Sequence, residues 1–434
     1  MPNEIIGLIG LLLMFILMFS RVPLVSTLAI IGFLGAIYFR GLNALGTALT
    51  TIVWDNSFSY TFSAIPMFVF MGELLYTSGV TSNLFDTFRR WFGHLKGGLA
   101  MATIGSSAIF AAASGSSLAN TGTMGVIAYK EMKKSGYDDK VSTGSILAGG
   151  SLGILIPPST VFIIYGLLTE QSIGRLFIAG IIPGILLTIF LMATIYVWVT
   201  LKPGIAPRSN KSKWGERFSS IFNVGWILAL FTLVIGGLFL GLFSPTEASG
   251  IGAFGALIIT FLRGKLNFKS LITALERALR TTGFIFAIVL GAFILNYFLA
   301  LSHLPDYMAQ IISNSNLSPL TVIFIIILMY IILGCVMDTL AMIVITMPFV
   351  LPVIEVIGYD FIWFGVLIVL LYEMAQITPP LGLLTFVLSG VLKNVKIETI
   401  FKGGLIIIIP IAVLIVLLVF FPDIALFLPD LMHN

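Results

Sequence analysis

Most of this chain consists of apolar runs, many of them long enough to cross the hydrocarbon layer of a lipid bilayer. Of its 434 residues, 58% are hydrophobic and 10% are charged, a composition far from that of soluble globular domains. A membrane helix needs roughly 20 mostly apolar residues, so this length accommodates about a dozen segments that cross or enter a membrane. The sequence therefore predicts an all-α polytopic membrane protein with little room for a soluble domain.

Twelve apolar runs divide the chain. They are Ile5–Phe19, Val22–Phe39, Phe58–Ser78, Leu99–Ala113, Val141–Leu168, Ile173–Leu201, Ile221–Phe243, Ala248–Leu262, Thr281–Leu301, Leu320–Ile354, Phe361–Leu392 and Gly404–Phe421. The first is expected to be a retained helix, because no basic stretch precedes it and no small-residue cleavage site follows it. The single Cys335 excludes a disulfide framework, and His94, His303 and His433 lack the spacing of metal ligands.

Two apolar stretches are broken near their middle by polar or small residues. Residues 97–129 contain Ser114-Gly115-Ser116-Ser117, and residues 320–354 are interrupted between Gly334 and Thr339. Unpaired backbone groups in hydrocarbon cost several kcal/mol each, so neither break is expected to face lipid. We interpret both stretches as re-entrant helical hairpins that are enclosed by protein.

The distribution of basic residues tests this interpretation, because a hairpin returns the chain to the face that it left, whereas a span does not. With the N-terminus outside and both stretches folded as hairpins, Arg40 and Arg175 are the only two of the 23 basic residues that fall outside. If either stretch crossed the membrane, every later loop would be inverted and the asymmetry would be lost. The predicted topology therefore places both termini on the outer side.

The same elements occur twice, with opposite membrane direction. In residues 1–205, a hairpin that enters from inside precedes a helix (141–168) that is broken at Pro157-Pro158. In residues 218–434, a hairpin that enters from outside precedes a helix (361–392) that is broken at Pro379-Pro380. Each set follows two apolar helices and an amphipathic segment, Leu42–Trp54 or Phe268–Arg280, expected at the membrane interface. Inverted-topology repeats with interrupted helices are typical of secondary transporters.

Helix breaks suggest where a ligand binds. The free N–H groups of a broken helix favour an anion, and its free carbonyls favour a cation such as Na⁺. The first candidate half-site comprises Ser114, Gly115, Ser116, Ser117, Asn120, Thr121, Pro157, Pro158 and Ser159. The second comprises Gly334, Asp338, Thr339, Thr378, Pro379 and Pro380. Within these sets, the candidate Na⁺ ligands are Ser114, Ser116, Asn120, Gly334, Asp338 and Thr378.

Each of these features also has a structural explanation. Small residues allow close packing of membrane helices, and a proline pair kinks a helix. However, a polar hairpin tip precedes a Pro-Pro helix break in both halves, which favours a ligand-binding site. An acidic side chain inside a membrane is costly and marks a functional site by default. Asp338 is the best candidate, with helix capping as its alternative role. Glu73 and Glu373 fit either support of an ion site or a polar contact between helices.

Five motifs resemble the large membrane subunit of tripartite ATP-independent periplasmic (TRAP) transporters. They run in the family's order through nearly the whole chain: Ile65-Pro66-Met67-Phe68, Ser114 to Asn120, Gly153 to Ser159, Phe243-Ser244-Pro245-Thr246-Glu247-Ala248 and Ile377-Thr378-Pro379-Pro380. Each motif alone is moderately specific, and the five together are strong.

The resemblance implies an elevator-type Na⁺ symporter for an organic acid of the sialic acid or C4-dicarboxylate class, in a bacterial inner membrane with both termini periplasmic. It implies a transport core of about residues 58–168 and 281–392, with the remaining helices as the scaffold. The implied partners are a small four-helix membrane subunit, expected on a separate polypeptide, and a periplasmic solute-binding protein. Na⁺ is the expected coupling ion, and no cofactor is expected.

Two alternatives remain at this stage. The first is a stand-alone Na⁺/anion symporter of related clamshell fold, which would transport without a binding protein. The second is a membrane-embedded enzyme, for which the sequence offers no His-Glu-x-x-His motif, no suitably spaced pair of membrane aspartates and no membrane-buried histidine. The absence of a nucleotide-binding Gly-Lys motif also argues against ATP hydrolysis. We therefore expect a transporter rather than an enzyme.

Overall fold

The computed structural model describes residues 2–57 and 60–432, and within these ranges the chain folds into 19 α-helices without a strand. Phe58, where the third apolar run was expected to begin, and His433 lie outside the described residues. The first half contains α1 Asn3–Phe19, α2 Leu24–Ser57, α3 Ala64–Thr77, α4 Val80–Phe92, α5 Gly98–Ser114, α6 Ser117–Lys134, α7 Asp139–Gly150, α8 Thr160–Thr169 and α9 Ile173–Leu201.

The second half repeats this order and adds a short final helix at Asp423–Asp430. It contains α10 Trp214–Phe239, α11 Pro245–Leu262, α12 Phe268–Leu301, α13 Leu304–Asn314, α14 Pro319–Gly334, α15 Thr339–Val356, α16 Phe361–Ala375, α17 Leu383–Val391, α18 Ile397–Phe420 and α19 Asp423–Asp430. In the described part of the chain, seven helices are long and apolar enough to cross a membrane, or eight if the bent pair α3–α4 is one span. The predicted all-α polytopic fold is confirmed.

Contacts between distant residues confirm that both polar breaks are hairpin turns. Thr103 on α5 and Met132 on α6 are 29 residues apart, which is about 44 Å along a straight helix, yet the Thr103 Oγ1–Met132 Sδ distance is 4.0 Å. Tyr330 on α14 and Thr346 on α15 are 16 residues apart, about 24 Å along a helix, yet their hydroxyls are hydrogen-bonded at 2.6 Å. The chain therefore turns back at residues 115–116 and again at residues 335–338.

The two interrupted helices are also confirmed. The first breaks between the end of α7 at Gly150 and the start of α8 at Thr160, and the second between the end of α16 at Ala375 and the start of α17 at Leu383. Both breaks contain a cis peptide bond within the proline pair, Pro157-Pro158 or Pro379-Pro380. Because proline lacks an N–H and cannot continue a helical hydrogen-bond ladder, both breaks fall where the sequence predicts them.

Two short amphipathic helices complete the repeat and were not predicted from the sequence. Helix α4 follows α3 after a left-handed Gly79 (φ 72°), and α3 and α4 are bent by 66°. Helix α13 follows α12 in the same position of the second half, after a left-handed His303 (φ 53°). Both connect an apolar helix to a hairpin. The segment Phe268–Arg280, expected at the interface as a separate element, is continuous with the rest of α12.

The helices pack in two groups. Helix α2 packs mainly on α12, and α3 packs mainly on α11, so the two repeats interlock through these four helices. The hairpins and broken helices pack with α9 and α18, since α18 lies along α7, while α9 contacts α5, α8 and α16. The sequence-based division assigns α3 and residues 281–301 of α12 to the core, and α9 and α18 to the scaffold. This division stays a prediction.

Helix α4 is fastened to the start of α10 by side chain to backbone hydrogen bonds. The Thr87 hydroxyl donates to the Ser220 carbonyl at 3.0 Å, and the Trp91 indole N–H donates to the Arg217 carbonyl at 3.2 Å. Arg217 is buried, with its guanidinium 5.1 Å from the centre of the Trp214 ring. Helix α4, which joins α3 to the first hairpin, is therefore held against α10. Gly93, Gly97 and Gly98 follow it and lead into the first hairpin.

Candidate functional site

The tip of the first hairpin is built by a left-handed glycine followed by a serine cap. Gly115 (φ 55°) ends α5, and the Ser116 hydroxyl accepts a hydrogen bond from the Ala119 N–H at 3.3 Å at the start of α6. The Thr160 hydroxyl donates to the Gly115 carbonyl at 3.2 Å, which joins this tip to the first helix break. The N-terminus of α6 is therefore held at the break, as expected for an anion-binding geometry.

The tip of the second hairpin, like the first, has a capping side chain, but its Gly334 is not left-handed. Asp338 caps α15, because its Oδ1 accepts from the Ala341 N–H at 3.0 Å, and its side chain is otherwise exposed. A Cβ on Gly334 would lie 2.5 Å from the Ala375 Cβ, so glycine permits the close approach of α14 to the end of α16. The Cys335 thiol lies 3.9 Å from the Pro379 carbonyl oxygen, which places this tip beside the second break.

Glu373 connects the two halves. This residue lies on α16 in the second repeat and is fully buried. One of its oxygens accepts a short hydrogen bond from the Ser117 hydroxyl of the first hairpin, and the other accepts from Gln376 Nε2 at 3.2 Å. One carboxylate thus joins the first hairpin tip to the second helix break.

Buried oxygens without a partner surround the C-terminal end of α7. The Asn120 amide donates to the Ser107 carbonyl at 3.1 Å and to the Gly149 carbonyl at 3.0 Å, but its own Oδ1 accepts nothing among the described residues. The hydroxyls of Ser107 and Thr121 are also buried, have no hydrogen-bond partner in the described part of the chain, and lie next to Gly149 and Gly150. Buried polar atoms are usually paired, so these oxygens suit a cation at the negative end of a helix.

A cavity of about 990 Å³ opens in front of both hairpin tips. Of the predicted site residues, it is lined by the tip residues Ser114, Gly115, Ser116, Ser117, Asp338 and Thr339. Tyr372 and Gln376 on the α16 side also line it. The structure therefore brings the tips of two separate repeats to one cavity.

The other predicted site residues lie away from this cavity. Asn120, Thr121, Pro157, Pro158, Ser159 and Gly334 are buried behind the tips. Thr378 is half-buried and donates to the Met374 carbonyl at 2.7 Å, while Pro379 and Pro380 are exposed. Ser159 caps α8, accepting from the Phe162 N–H at 3.5 Å. These residues shape the breaks and hold the tips, and of the predicted site residues only those at the hairpin tips line the cavity.

Sequence reasoning left Glu373 undecided and missed Gln376. Glu373 is the one predicted intramembrane acid that the structure buries completely, and Gln376 is its neighbour in the second break. A signal for both existed in the sequence, since a buried acid that directly precedes a polar helix break is costly unless it is hydrogen-bonded. Its partner Ser117, however, is 256 residues away.

Comparisons with known proteins extend these observations. A family model described as "Tripartite ATP-independent periplasmic transporter, DctM component" matches residues 11–424. The sialic acid TRAP transporter permease protein SiaT of Haemophilus influenzae is 34% identical over 98% of this chain and 68% of its own length. The C4-dicarboxylate TRAP transporter large permease protein DctM of Pseudomonas aeruginosa is 32% identical over 88% of this chain and 89% of its own length.

A solved structure shares the fold. The YdaH transporter of Alcanivorax borkumensis aligns with a TM-score of 0.59 over 88% of this chain and 89% of its own, at 17% sequence identity. At this identity the similarity concerns the arrangement of the helices.

Proposed function

The chain belongs to the DctM component family of tripartite ATP-independent periplasmic transporters, and from this premise we propose that it takes up an organic acid by Na⁺-coupled symport with an elevator movement. As the large permease subunit of such a transporter, it is a multi-pass membrane protein. The observation that carries the proposal is the cavity that the two hairpin tips share, with Glu373 linking both repeats behind it.

The proposed substrate is an anion of the sialic acid or C4-dicarboxylate class. The relatives in Haemophilus influenzae and Pseudomonas aeruginosa are named for sialic acid and for C4-dicarboxylates. In this chain, the N-termini of α6 and α15 begin at the two hairpin tips that line the cavity. Helix N-termini present free N–H groups and a partial positive charge, which suit a carboxylate.

Na⁺ is the proposed coupling ion, because an anion needs a cation to enter a negatively charged cell. Moving one negative charge inward costs about 2.3 kcal/mol per 100 mV, so net accumulation of an acid requires at least one Na⁺ for each charge. The oxygens of Asn120, Ser107 and Thr121, which accept no hydrogen bond from the described residues, offer neutral ligands at the C-terminal end of α7. We place one Na⁺ there, behind the first hairpin tip.

The proposed elevator movement carries the hairpins and broken helices as one body. On the packing observed, this body consists of α5–α9 and α14–α18, and the scaffold consists of α1–α3 and α10–α12. Helices α4 and α13 connect the two. Because α4 is hydrogen-bonded to α10, we place the first hinge at Gly93, Gly97 and Gly98, between α4 and α5.

The proposed assembly follows the family's tripartite description. The partners are a small four-helix membrane subunit on a separate polypeptide and a periplasmic solute-binding protein that delivers the acid. The proposed location is a bacterial inner membrane, with both termini in the periplasm, as the distribution of basic residues predicts.

Substitution of four polar residues tests the proposed site. We expect each of Ser116→Ala, Asn120→Ala, Asp338→Ala and Thr378→Ala to lower Na⁺-driven uptake by about tenfold, since each removes a hydrogen-bonding or charged group worth roughly 1.5 kcal/mol. The measurement is uptake of radiolabelled sialic acid and succinate into proteoliposomes that contain the chain, its small subunit and its binding protein under an imposed Na⁺ gradient. Ser209→Ala, in the connector between the repeats, is the control.

The outcomes separate the proposal from its alternatives. Uptake that requires a Na⁺ gradient and all three components supports it. Uptake by this chain alone indicates the stand-alone symporter. Wild-type rates in all four variants contradict the site assignment.

A further inference from the structure

An ion pair lies on the part of the cavity wall that α3 and α12 form. Glu73 on α3 and Arg277 on α12 both line the cavity. The Arg277 Nη1–Glu73 Oε2 distance is 3.7 Å, which is longer than a hydrogen bond. The Glu73 Oε2 atom is buried and accepts no hydrogen bond within the described part of the chain. Arg277 keeps 54% of its side chain exposed, so its N–H donors remain available in the cavity.

Arg277 is also distinguished by its charge. Among the described residues that line the cavity, Glu73 and Asp338 are acidic and Arg277 alone is basic. An anion in this cavity would therefore meet two like charges and a single cation. The guanidinium of arginine binds a carboxylate through two parallel hydrogen bonds at about 2.8 Å, a far better geometry than its contact with Glu73.

The neighbourhood of Arg277 holds its side chain in place. The Arg277 Cζ lies 5.9 Å from the centre of the Tyr76 ring, which also lines the cavity. A cation over an aromatic face is stabilised by the ring. Glu73 and Tyr76 therefore orient the guanidinium toward the cavity without using its hydrogen-bonding capacity.

Building on the proposed uptake of an organic acid, we propose that Arg277 binds the carboxylate of the substrate on the scaffold side of the cavity. Glu73 pairs with Arg277 while the cavity is empty and is displaced when the acid binds. By the predicted topology, Arg277 lies near the cytosolic end of α12, so the acid contacts it on the way from the hairpin tips to the cytosol.

The two partners are expected to respond in opposite directions. Arg277→Gln removes the cation and is expected to lower the uptake of succinate and sialic acid by about tenfold, the effect of losing a charge-assisted hydrogen bond, and Arg277→Lys restores part of it. Glu73→Gln removes the competing carboxylate and is expected to lower the half-saturating concentration of the acid several-fold. If the pair served structure alone, both Gln variants would impair uptake in the same direction.

A matched control is available on the same helix. Arg280 pairs with Glu276 at 3.1 Å, keeps 81% of its side chain exposed and lies outside the cavity, so Arg280→Gln is expected to transport as the wild type does. Thermal unfolding of each purified variant is measured first, and a folded Glu73→Gln variant tests the inference even if Arg277→Gln does not fold. Unchanged uptake in Arg277→Gln, or impaired uptake in Glu73→Gln, would overturn the inference.

A separate measurement distinguishes this inference from the proposed function. The rise in unfolding temperature that succinate or sialic acid causes in the purified chain reports binding without transport. If the wild type shows no Na⁺-driven uptake, the proposed function fails, and the binding measurement still decides the role of Arg277. A rise that Arg277→Gln abolishes supports the inference, and no rise in the wild type, or an equal rise in the variant, contradicts it.

Discussion

A single methyl group at Gly153 is expected to lower uptake by at least about tenfold. A Cβ on this residue would lie 2.5 Å from the backbone nitrogen of Ser117 and 2.7 Å from the backbone carbonyl carbon of Ser116. Both contacts are with backbone, which cannot move aside as a flexible side chain would. Overpacking of this kind costs about 1–3 kcal/mol, and relief of the clash would push the first hairpin tip away from Glu373.

The measurement compares Gly153→Ala with Gly250→Ala in the proteoliposome assay. A Cβ at Gly250 on α11 meets no described atom within 4 Å, so the control adds the same methyl group without a clash. We expect uptake by Gly153→Ala to fall by at least about tenfold, with a lower unfolding temperature, and the control to match the wild type. A Gly153→Ala protein with wild-type uptake would show that the hairpin tip need not lie against the first break.

Truncation of Glu373 is expected to have a similarly large effect. Glu373→Ala removes the acceptor shared by Ser117 and Gln376. Each buried group left unpaired costs about 1–3 kcal/mol, and the first hairpin tip loses its link to the second repeat. We expect uptake to fall by at least about tenfold and the unfolding temperature to fall as well.

Two further variants make this prediction specific. Glu373→Gln keeps one acceptor oxygen for Ser117 and is expected to retain more uptake than Glu373→Ala. Glu276→Ala on the exposed part of α12 removes an acid of the same size whose partner is an exposed arginine, and it is expected to leave uptake unchanged, because exposed ion pairs contribute little. Equal uptake in the wild type and Glu373→Ala would mean that the link between the repeats is dispensable.

The hairpins and interrupted helices could be predicted from the sequence because their signals are local. A polar break within an apolar run must be enclosed, and the observed α5–α6 pair spans 98–134 where 97–129 was predicted. The starts of the helices after each turn or break also have local causes, since Ser116, Ser159 and Asp338 each cap the helix that follows. Capping was the alternative role considered for Asp338, and the structure gives this residue both the cap and a place in the cavity.

The remaining features depend on contacts between distant parts of the chain. No pattern near Glu373 indicates that its partner is Ser117, and the predicted Thr378 turns its hydroxyl back onto its own helix instead of toward the cavity. The short helices α4 and α13 escaped prediction because each follows an apolar helix after a single left-handed residue. The proposed role of Arg277 in binding the carboxylate depends on the packing of α12 against α3.

The central claim is that two hairpins enter the membrane from opposite sides without crossing it, and site-directed labelling tests it most directly. The experiment uses a Cys335→Ser background, which removes the single cysteine. Lys134, at the end of the first hairpin, and Glu355, at the end of the second, are each replaced by cysteine, and both native side chains are exposed. Cells whose outer membrane is removed and whose inner membrane is intact are treated with a membrane-impermeant maleimide. We predict that Glu355→Cys is labelled at once and that Lys134→Cys is labelled only after the inner membrane is permeabilised. Labelling of Lys134→Cys in intact cells, or protection of Glu355→Cys, would contradict the inverted arrangement.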